Sequence, residues 1–333
     1  MIGIQLGDGT GLDRLREVQL PGPGDPGPGE IRVRLHATSL NFHDYHVATA
    51  SKATGRIPMA DGAGVVDAVG AGVSDLRVGD HVTSLFFPGW TEGTPPPIGL
   101  ETVPGDGIDG YAREAVVAPA THFTLAPPGY THAEAAAVTT AGVTAWRALV
   151  VDAGIKSDDT VLVLGTGGVS IFALQIATAL GARVVVTSSS DAKLERARAL
   201  GAAHTINYRR EPGWGQAVLD WTGGQGVHCV VETGGTGTLA ESMTAVRSGG
   251  TISVIGMYTG SSVPFDLLPI LFKQVRLQGL LVGTRQHQEA CIRDLAAHSI
   301  RPVIDKSFPL GGLADAFRYQ ESGEHFGKIC AEW

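Results

Sequence analysis

Leu164-Gly165-Thr166-Gly167-Gly168-Val169-Ser170 lies where a strand should turn into a helix. Before it, Val161-Leu162-Val163-Leu164 is a short apolar run of the buried-strand kind. After it, residues 169–180 repeat apolar side chains at helical spacing until Gly181 stops them. A glycine turn at such a junction lets backbone N–H groups approach a pyrophosphate closely, and the helix N-terminus adds partial positive charge. The spacing is G-x-G-x-x-S, so Ser170 stands where a third glycine would allow close helix–strand packing. Arg183-Val184-Val185-Val186-Thr187 supplies a second strand at βαβ spacing, and a helix from near Asp191 ends at Leu200-Gly201. The stretch predicts a dinucleotide-binding α/β unit.

A chain of 333 residues has room for two domains with proper cores. Its 43% hydrophobic and 17% charged residues are those of a globular protein. The net charge of −8, with no basic cluster, argues against nucleic acid or an anionic membrane as partner. No apolar run reaches the roughly 20 residues of a membrane span. The strand-like start at residues 1–6 lacks the charged segment of a secretory leader. Cys229, Cys291 and Cys330 are widely spaced in apolar or helical segments. Buried, reduced thiols and a cytoplasmic setting are expected.

The first part of the chain reads as β-rich. Residues 30–37 alternate like a half-buried strand after a Pro/Gly loop at 21–29, and further strands are predicted at 64–69, 81–87, 112–117 and 122–125. Short strands with Gly-Asp and Gly-Val turns suggest a small barrel or sandwich. Residues 88–109 are rich in Pro and Gly and aperiodic, which predicts a loop on the active-site side. From about residue 131 the pattern changes. A helix over 131–150, broken near 139–142, precedes alternating strands and helices at 227–232, 237–246, 251–255, 267–272 and 275–282. That alternation predicts a doubly wound parallel sheet. A helix at 287–298, a strand at 301–304, a helix at 312–321 and a strand at 328–332 then return to the first domain. The expected division is a β-rich domain at 1–130, a nucleotide domain at 131–283 and the return at 284–333.

Placed in this order, five pieces resemble the medium-chain dehydrogenase/reductase superfamily. They are Pro26 to Glu30, Ala37-Thr38-Ser39-Leu40-Asn41-Phe42-His43-Asp44, Gly62-Ala63-Gly64-Val65-Val66, Thr139-Thr140-Ala141-Gly142-Val143-Thr144-Ala145-Trp146, and Gly327-Lys328-Ile329. With the glycine loop they are similar to the zinc-free alcohol-dehydrogenase-like and quinone oxidoreductase branch. The resemblance implies a GroES-like catalytic domain, formed by both chain ends, around a central Rossmann domain. It also puts Asn41, Ala60 and Thr140 at the three positions that hold catalytic zinc in metal-dependent members. A carboxamide, a methyl and a hydroxyl replace the thiolate, imidazole or carboxylate that zinc needs. No Cys cluster in residues 85–115 offers a structural zinc site, and His36, His43, His46 and His81 lack ligand spacing. No metal is expected.

Without a Lewis acid to hold an alkoxide, the suitable acceptors delocalise negative charge themselves, as quinones and α,β-unsaturated carbonyls do. The cofactor loop is Gly165, Gly167, Gly168, Val169 and Ser170. Where an NAD-binding domain has an acidic residue for the ribose diol, this chain has Ser188, 23 residues after Gly165. Ser188 and Ser189 can donate to a 2′-phosphate and Lys193 can add a charged contact, so NADPH is expected over NADH. Ser190 reads as a helix cap, and Lys193 reads equally as a solvated surface charge. The resemblance adds Thr144 and Tyr208, with Arg209 as a lesser neighbour; Thr140 joins the cofactor set, as do Gly256, Met257, Tyr258, Leu281, Val282 and Gly283, which fall at carboxyl ends of sheet strands, where such ligands bind. Thr144 also reads as a helix-interior threonine bonded to its own turn.

Substrate polarisation and proton transfer are assigned to Asn41, His43, Asp44 and Tyr45. His43 is the candidate donor near neutral pH. Both His43 and Asp44 have structural alternatives, a hydrogen-bonded core histidine and a helix cap. Phe86, Phe87 and Trp90 are candidates for an apolar floor. Two other functions share the fold: a reductase or cyclase of specialised metabolism, and a non-catalytic, crystallin-like nucleotide binder. The strand at 275–282 is expected at a sheet edge, where the resemblance implies pairing in a homodimer; the alternative is cover by residues 264–272 of its own chain.

Overall fold

The computed structural model describes residues 1–50, 52–94, 99–262 and 266–333. Positions 95–98 of the aperiodic loop and 264–265 of the suggested edge cover lie outside the described residues. The chain divides into two compact units, Met1–Val143 with Val282–Trp333, and Thr144–Leu281.

In the second unit, six described strands form a parallel sheet in the order His204–Asn207, Arg183–Ser188, Thr160–Leu164, Val227–Glu232, Val246–Val254 and Arg276–Gly279. Thr160–Leu164 is buried throughout, which is why its sequence is a continuous apolar run rather than an alternation. Strand order reverses between it and Val227–Glu232, the switch point beside which ligands bind in such sheets. Leu162, Val185, Val230 and Ile252 pack with Trp214 and Val218 of the helix Trp214–Trp221. Residues 267–272 overlap the helix Leu268–Lys273. The edge strand is shorter than 275–282: Val282 has φ +46, and the backbone leaves the ladder after Gly279.

In the first unit, Glu30–Ser39 is the spine of a sheet with seven described strands. It pairs with Ala63–Val69 on one edge, and with Ala115–Pro119 and then Lys328–Glu332 on the other. His81–Ser84 with Phe123–Leu125 extend one side, and Ile304–Pro309 the other. Ile31, Val33, Leu35, Val66, Val82 and Phe123 make its core. Ile2–Leu6 pairs with Leu15–Gln19, a strand the sequence reading lacked. Two strands start later than expected. The N–H groups of residues 110–112 are spent on the Ile57, Met59 and Pro58 carbonyls, so the strand placed at 112–117 begins at Ala115. Pro302 has no N–H for a ladder, and the strand placed at 301–304 begins at Ile304.

Residues 131–143, assigned from sequence to the nucleotide domain, belong to the first unit. Thr131 and Glu134 cap the helix His132–Ala137 reciprocally, and Ala133, Ala135 and Ala136 pack on Ala37, Ala63 and Cys330. The helix is not broken at 139–142. It widens into a π turn at Val138–Gly142, narrows at Val143–Trp146 and widens again at Arg147–Asp152. The three cysteines are buried and free, and no helix among the described residues is long and apolar enough to cross a membrane.

His36, His132 and His81 stack with ring centroids 4.6 and 4.9 Å apart. Burial first, and then the two neighbouring rings, push His132 down to about 4 from 6.5. A base whose folded value is lowered contributes stability that is present above pH 6.5 and lost as pH falls toward 4. The ring is only half-buried, so we expect a loss on the order of 1 kcal/mol across that window. His132→Phe keeps a stacked ring without a charge and should flatten that arm of the Tm–pH curve; identical curves would refute the assignment.

Candidate active site

The nucleotide side begins where Thr160–Leu164 ends. Gly165 has φ +72, a conformation that favours glycine, and its N–H bonds the Thr187 carbonyl at 2.9 Å. The helix Gly168–Ala179 follows with Gly167 at its N-cap and no side-chain cap. Its first N–H groups are thus left for an anion. Ser170 is buried, and its hydroxyl donates to the Leu164 carbonyl at 2.7 Å, tying helix to strand where the fingerprint has glycine. Gly168 and Val169 are partly exposed along this turn. These residues suit the pyrophosphate of a dinucleotide.

At the end of the next strand the serines are less free than the sequence suggested. Ser188 is buried and its Oγ accepts the Ser190 N–H at 3.3 Å. Ser190 is the N-cap, accepting from the Lys193 N–H at 3.4 Å. Ser189 and the Lys193 side chain remain partly exposed, and Tyr208 is exposed. Arg210 pairs with Asp191 at the start of this helix, a contact the sequence reading missed. Beyond Val227–Glu232, the buried Glu232 carboxylate accepts the N–H groups of Gly234 and Gly235 and the hydroxyls of Thr238 and Ser242. It fixes the turn before the helix Leu239–Ala245, and Gly256 packs against that turn: a Cβ there would lie 2.0 Å from the Thr233 carbonyl oxygen. Met257 and Tyr258 are exposed, Thr144 is buried, Leu281 is exposed and Val282 buried. A Cβ on Gly283 would press Val143 at 2.9 Å.

In the first unit, Asn41, Ala60 and Thr140, the positions that the resemblance assigns to zinc in metal-dependent members, lie around Asp61, a residue the sequence reading did not single out. Asp61 has no exposed surface. Its Oδ1 accepts the Thr140 hydroxyl at 2.5 Å, and its Oδ2 accepts Ser39 Oγ at 2.6 Å and Asn41 Nδ2 at 2.8 Å. Lys328, equally buried, donates to Asn41 Oδ1 and the Leu40 carbonyl, each at 2.6 Å, and stands 4.0 Å from Asp61 Oδ2. Burial lifts the Asp61 carboxyl to about 6, against the pull of Lys328, Asn41 and Ser39 and with a push from Asp44. Burial also lowers Lys328, with Asp61, Cys330 and Asp44 resisting.

This chemistry does not suit zinc. Asn41 and Thr140 are hydrogen-bonded, Ala60 offers a methyl, and an ammonium bonds the one carboxamide oxygen. Among the described residues, no three His, Cys, Asp or Glu side chains are placed to share a metal ion.

Of the four proposed catalytic residues, Asn41 and Asp44 join this cluster. Asp44 is buried and reaches back to the Asn41 N–H at 3.1 Å from the third position of the helix Phe42–Ala50, while its other oxygen accepts the Ala60 N–H at 2.8 Å. Its observed bonds are those of the capping alternative. His43 faces elsewhere: its ring meets Phe86 edge-on at 5.3 Å, and Nε2 lies 3.6 Å from Asp106 Oδ2 of the long loop. Tyr45 is bonded to Glu321 and packs near Phe317, outside the cluster. Phe86, Phe87 and Trp90 are buried in an edge-to-face chain and belong to the core rather than to an open floor.

The first unit carries a buried polar cluster, and the second carries a glycine turn at the switch point of a parallel sheet. The Alcohol dehydrogenase GroES-like domain model matches residues 27–128, and the Zinc-binding dehydrogenase model matches 168–297. The Zinc-type alcohol dehydrogenase-like protein C1773.06c of Schizosaccharomyces pombe is 38% identical over 330 residues, covering 96% of this chain and 95% of that one. A solved NAD-dependent alcohol dehydrogenase superposes with TM-score 0.90 at 32% identity, covering 100% of both chains. A solved 2-haloacrylate reductase gives TM-score 0.80 at 26% identity, covering 100% of this chain and 99% of that one. The chain belongs to the medium-chain dehydrogenase/reductase superfamily.

Proposed function

We propose that the chain is a zinc-independent, NADPH-dependent oxidoreductase that reduces a quinone or an α,β-unsaturated carbonyl. The observation that carries this reading is the Asn41–Asp61–Thr140–Lys328 cluster, which puts hydrogen bonds and an ammonium where metal-dependent relatives have metal donors. Such a cluster can polarise and protonate an acceptor that spreads its own charge, but it has no Lewis acid for an alkoxide. The 2-haloacrylate reductase named above takes a conjugated acceptor, which supports this reading. The nicotinamide would supply the hydride, held by the turn at Gly165, Gly167 and Gly168.

Steady-state oxidation of NADPH against a panel of quinones and conjugated enones, with and without a chelator, tests the proposal. We expect turnover that a chelator leaves unchanged. Cofactor binding without turnover of any acceptor would refute it. The NAD-dependent alcohol dehydrogenase at 32% identity favours a second reading, NAD-linked alcohol oxidation. Simple alcohols with NAD belong in the same panel, and preference for them would decide for that reading.

Ser188→Asp separates the two cofactors. A carboxylate there repels a 2′-phosphate and can accept from a ribose diol. NADPH should weaken relative to NADH by on the order of 1–3 kcal/mol. Unchanged relative affinities would show that Ser188 does not face the ribose.

Assembly as a homodimer is part of the same proposal. Among the described residues the edge strand Arg276–Gly279 pairs on one side only, and Leu267, Leu271, Phe272, Leu277 and Leu281 are exposed. A second copy would cover both the open edge and the apolar side chains. Light scattering at micromolar concentration should give twice the mass of one chain, and a monomer mass would refute the dimer.

A further inference from the structure

We propose that Thr140 donates the proton that completes reduction of the substrate, and that Asp61 supplies it through the Thr140 hydroxyl. The inference deepens the proposed reaction and rests on it. Ser39, Asn41, Asp44, Asp61 and Lys328 are all buried, whereas Thr140 is partly exposed. Among these six, Thr140 is therefore the route by which a proton leaves Asp61. The oxygens of Asp61 divide the work. Oδ2 is taken by Ser39 and Asn41 and faces Lys328, while Oδ1 meets the Thr140 hydroxyl at 2.5 Å. Thr140 also stands in the widened turn Val138–Gly142, and such π turns recur at functional sites.

The charges around Asp61 keep both of its forms within reach. Lys328 on the Lys328–Glu332 strand favours the carboxylate, and burial and Asp44 on the Phe42–Ala50 helix favour the acid. Cys330 on the same strand as Lys328 is pushed up to about 12 by burial and stays a neutral thiol. The Asp61 carboxyl near 6 can then hold a proton at mildly acidic to neutral pH and release it.

The proton balance is simple. When bound, the nicotinamide would supply a hydride with its electron pair to the electron-poor carbon, which would leave the acceptor as an enolate or phenolate. With Asp61 protonated on Oδ1 the Thr140–Asp61 bond reverses, so the Thr140 hydroxyl turns toward the anion and gives up its proton as Thr140 Oγ takes that of Asp61. Thr140 ends neutral, and Asp61 ends as a carboxylate facing Lys328. Once the product leaves, water returns a proton to Asp61 along the same path. The substrate has gained one hydride and one proton.

Two measurements test the relay. In the first, a pH jump is followed by the infrared carboxyl band of Asp61, identified by its loss in Asp61→Asn. Thr140→Val should slow its protonation at least tenfold, and Thr140→Ser should restore the rate. Equal rates in wild type and Thr140→Val overturn the proposal. This measurement needs no substrate, so it decides the relay even if the acceptor panel fails. In the second, Thr140→Val should lower kcat by about 10²-fold or more, the range of a lost general acid. Thr140→Ser should recover to within tenfold, and Asp61→Asn should lose the change in kcat near pH 6. Full kcat in Thr140→Val, with His43→Gln abolishing that pH dependence instead, would assign the proton to His43.

Discussion

Lys328→Met is expected to destabilise the protein by about 3–5 kcal/mol at pH 7.5, the usual cost of removing one partner from a buried ion pair. The substitution leaves Asp61 fully buried beside Asp44 with no cation near it, and Asn41 Oδ1 and the Leu40 carbonyl lose their donor. The loss should depend on pH. In the native protein the folded Asp61 carboxyl lies near 6, above its ordinary 3.8. Folding therefore takes up a proton between those values, and stability falls as pH rises through that window. Removing the ammonium raises the carboxyl further, so the window extends upward and the deficit grows with pH. At pH 4 Asp61 is largely protonated, and only the lost hydrogen bonds of Lys328 remain. Urea unfolding at both pH values measures this, and Asp61→Asn combined with Lys328→Met should recover part of the loss. A Lys328→Met protein as stable as wild type at pH 7.5 would show that the pair contributes nothing.

Gly165→Asp should abolish useful affinity for NADPH while sparing the fold. A Cβ at Gly165 meets nothing within 4 Å, and aspartate tolerates a positive φ better than most residues, so the backbone survives. The added carboxylate would sit at the N-terminal end of the helix Gly168–Ala179, where the pyrophosphate is expected. Loss of the close approach together with like-charge repulsion should weaken binding by two to three orders of magnitude, roughly 3–4 kcal/mol. Fluorescence titration with NADPH, with circular dichroism as the check on folding, measures it. Undiminished affinity would place the dinucleotide elsewhere.

The parts of this structure legible in the sequence are those whose cause is local. Val161 to Leu164, the glycine turn and the following apolar helix are read from neighbouring residues alone. The parallel sheet follows because each βαβ unit repeats the same signal. Strand ends were less legible, because they depend on distant partners. Residues 110–112 look like the start of a strand until the Ile57, Pro58 and Met59 carbonyls take their N–H groups. The helix at 131–150 reads as broken because Thr139, Thr140 and Gly142 are poor helix formers, yet a π turn carries the chain through them.

At the cluster, the sequence reading names Asn41 and Asp44 as catalytic candidates and Thr140 as a cofactor contact, but not the residue that joins them. Asp61 sits in Met59-Ala60-Asp61-Gly62-Ala63, and a lone charge among small apolar residues was the available signal of burial. Lys328 was quoted only as part of a closing motif, because nothing nearby in sequence shows what it bonds. Tyr45 failed for the opposite reason. It follows Asp44 directly in sequence, but on a helix the next residue points about 100° away, toward Phe317 and Glu321.

The bond between Lys328 and Asn41 spans 287 residues. During synthesis at about 5–20 residues per second, Asn41 and Asp61 leave the ribosome on the order of 15–60 s before the lysine that completes their cluster. Through that interval the spine strand Glu30–Ser39 lacks its partner Lys328–Glu332, and Asp61 has no cation to bury beside. The nascent first unit must therefore keep this corner open to water while the whole parallel-sheet unit is made and folds. Closure of the sheet and assembly of the proton site are then one event, so a chain stalled or cut before residue 328 would carry a finished nucleotide fold and no working centre.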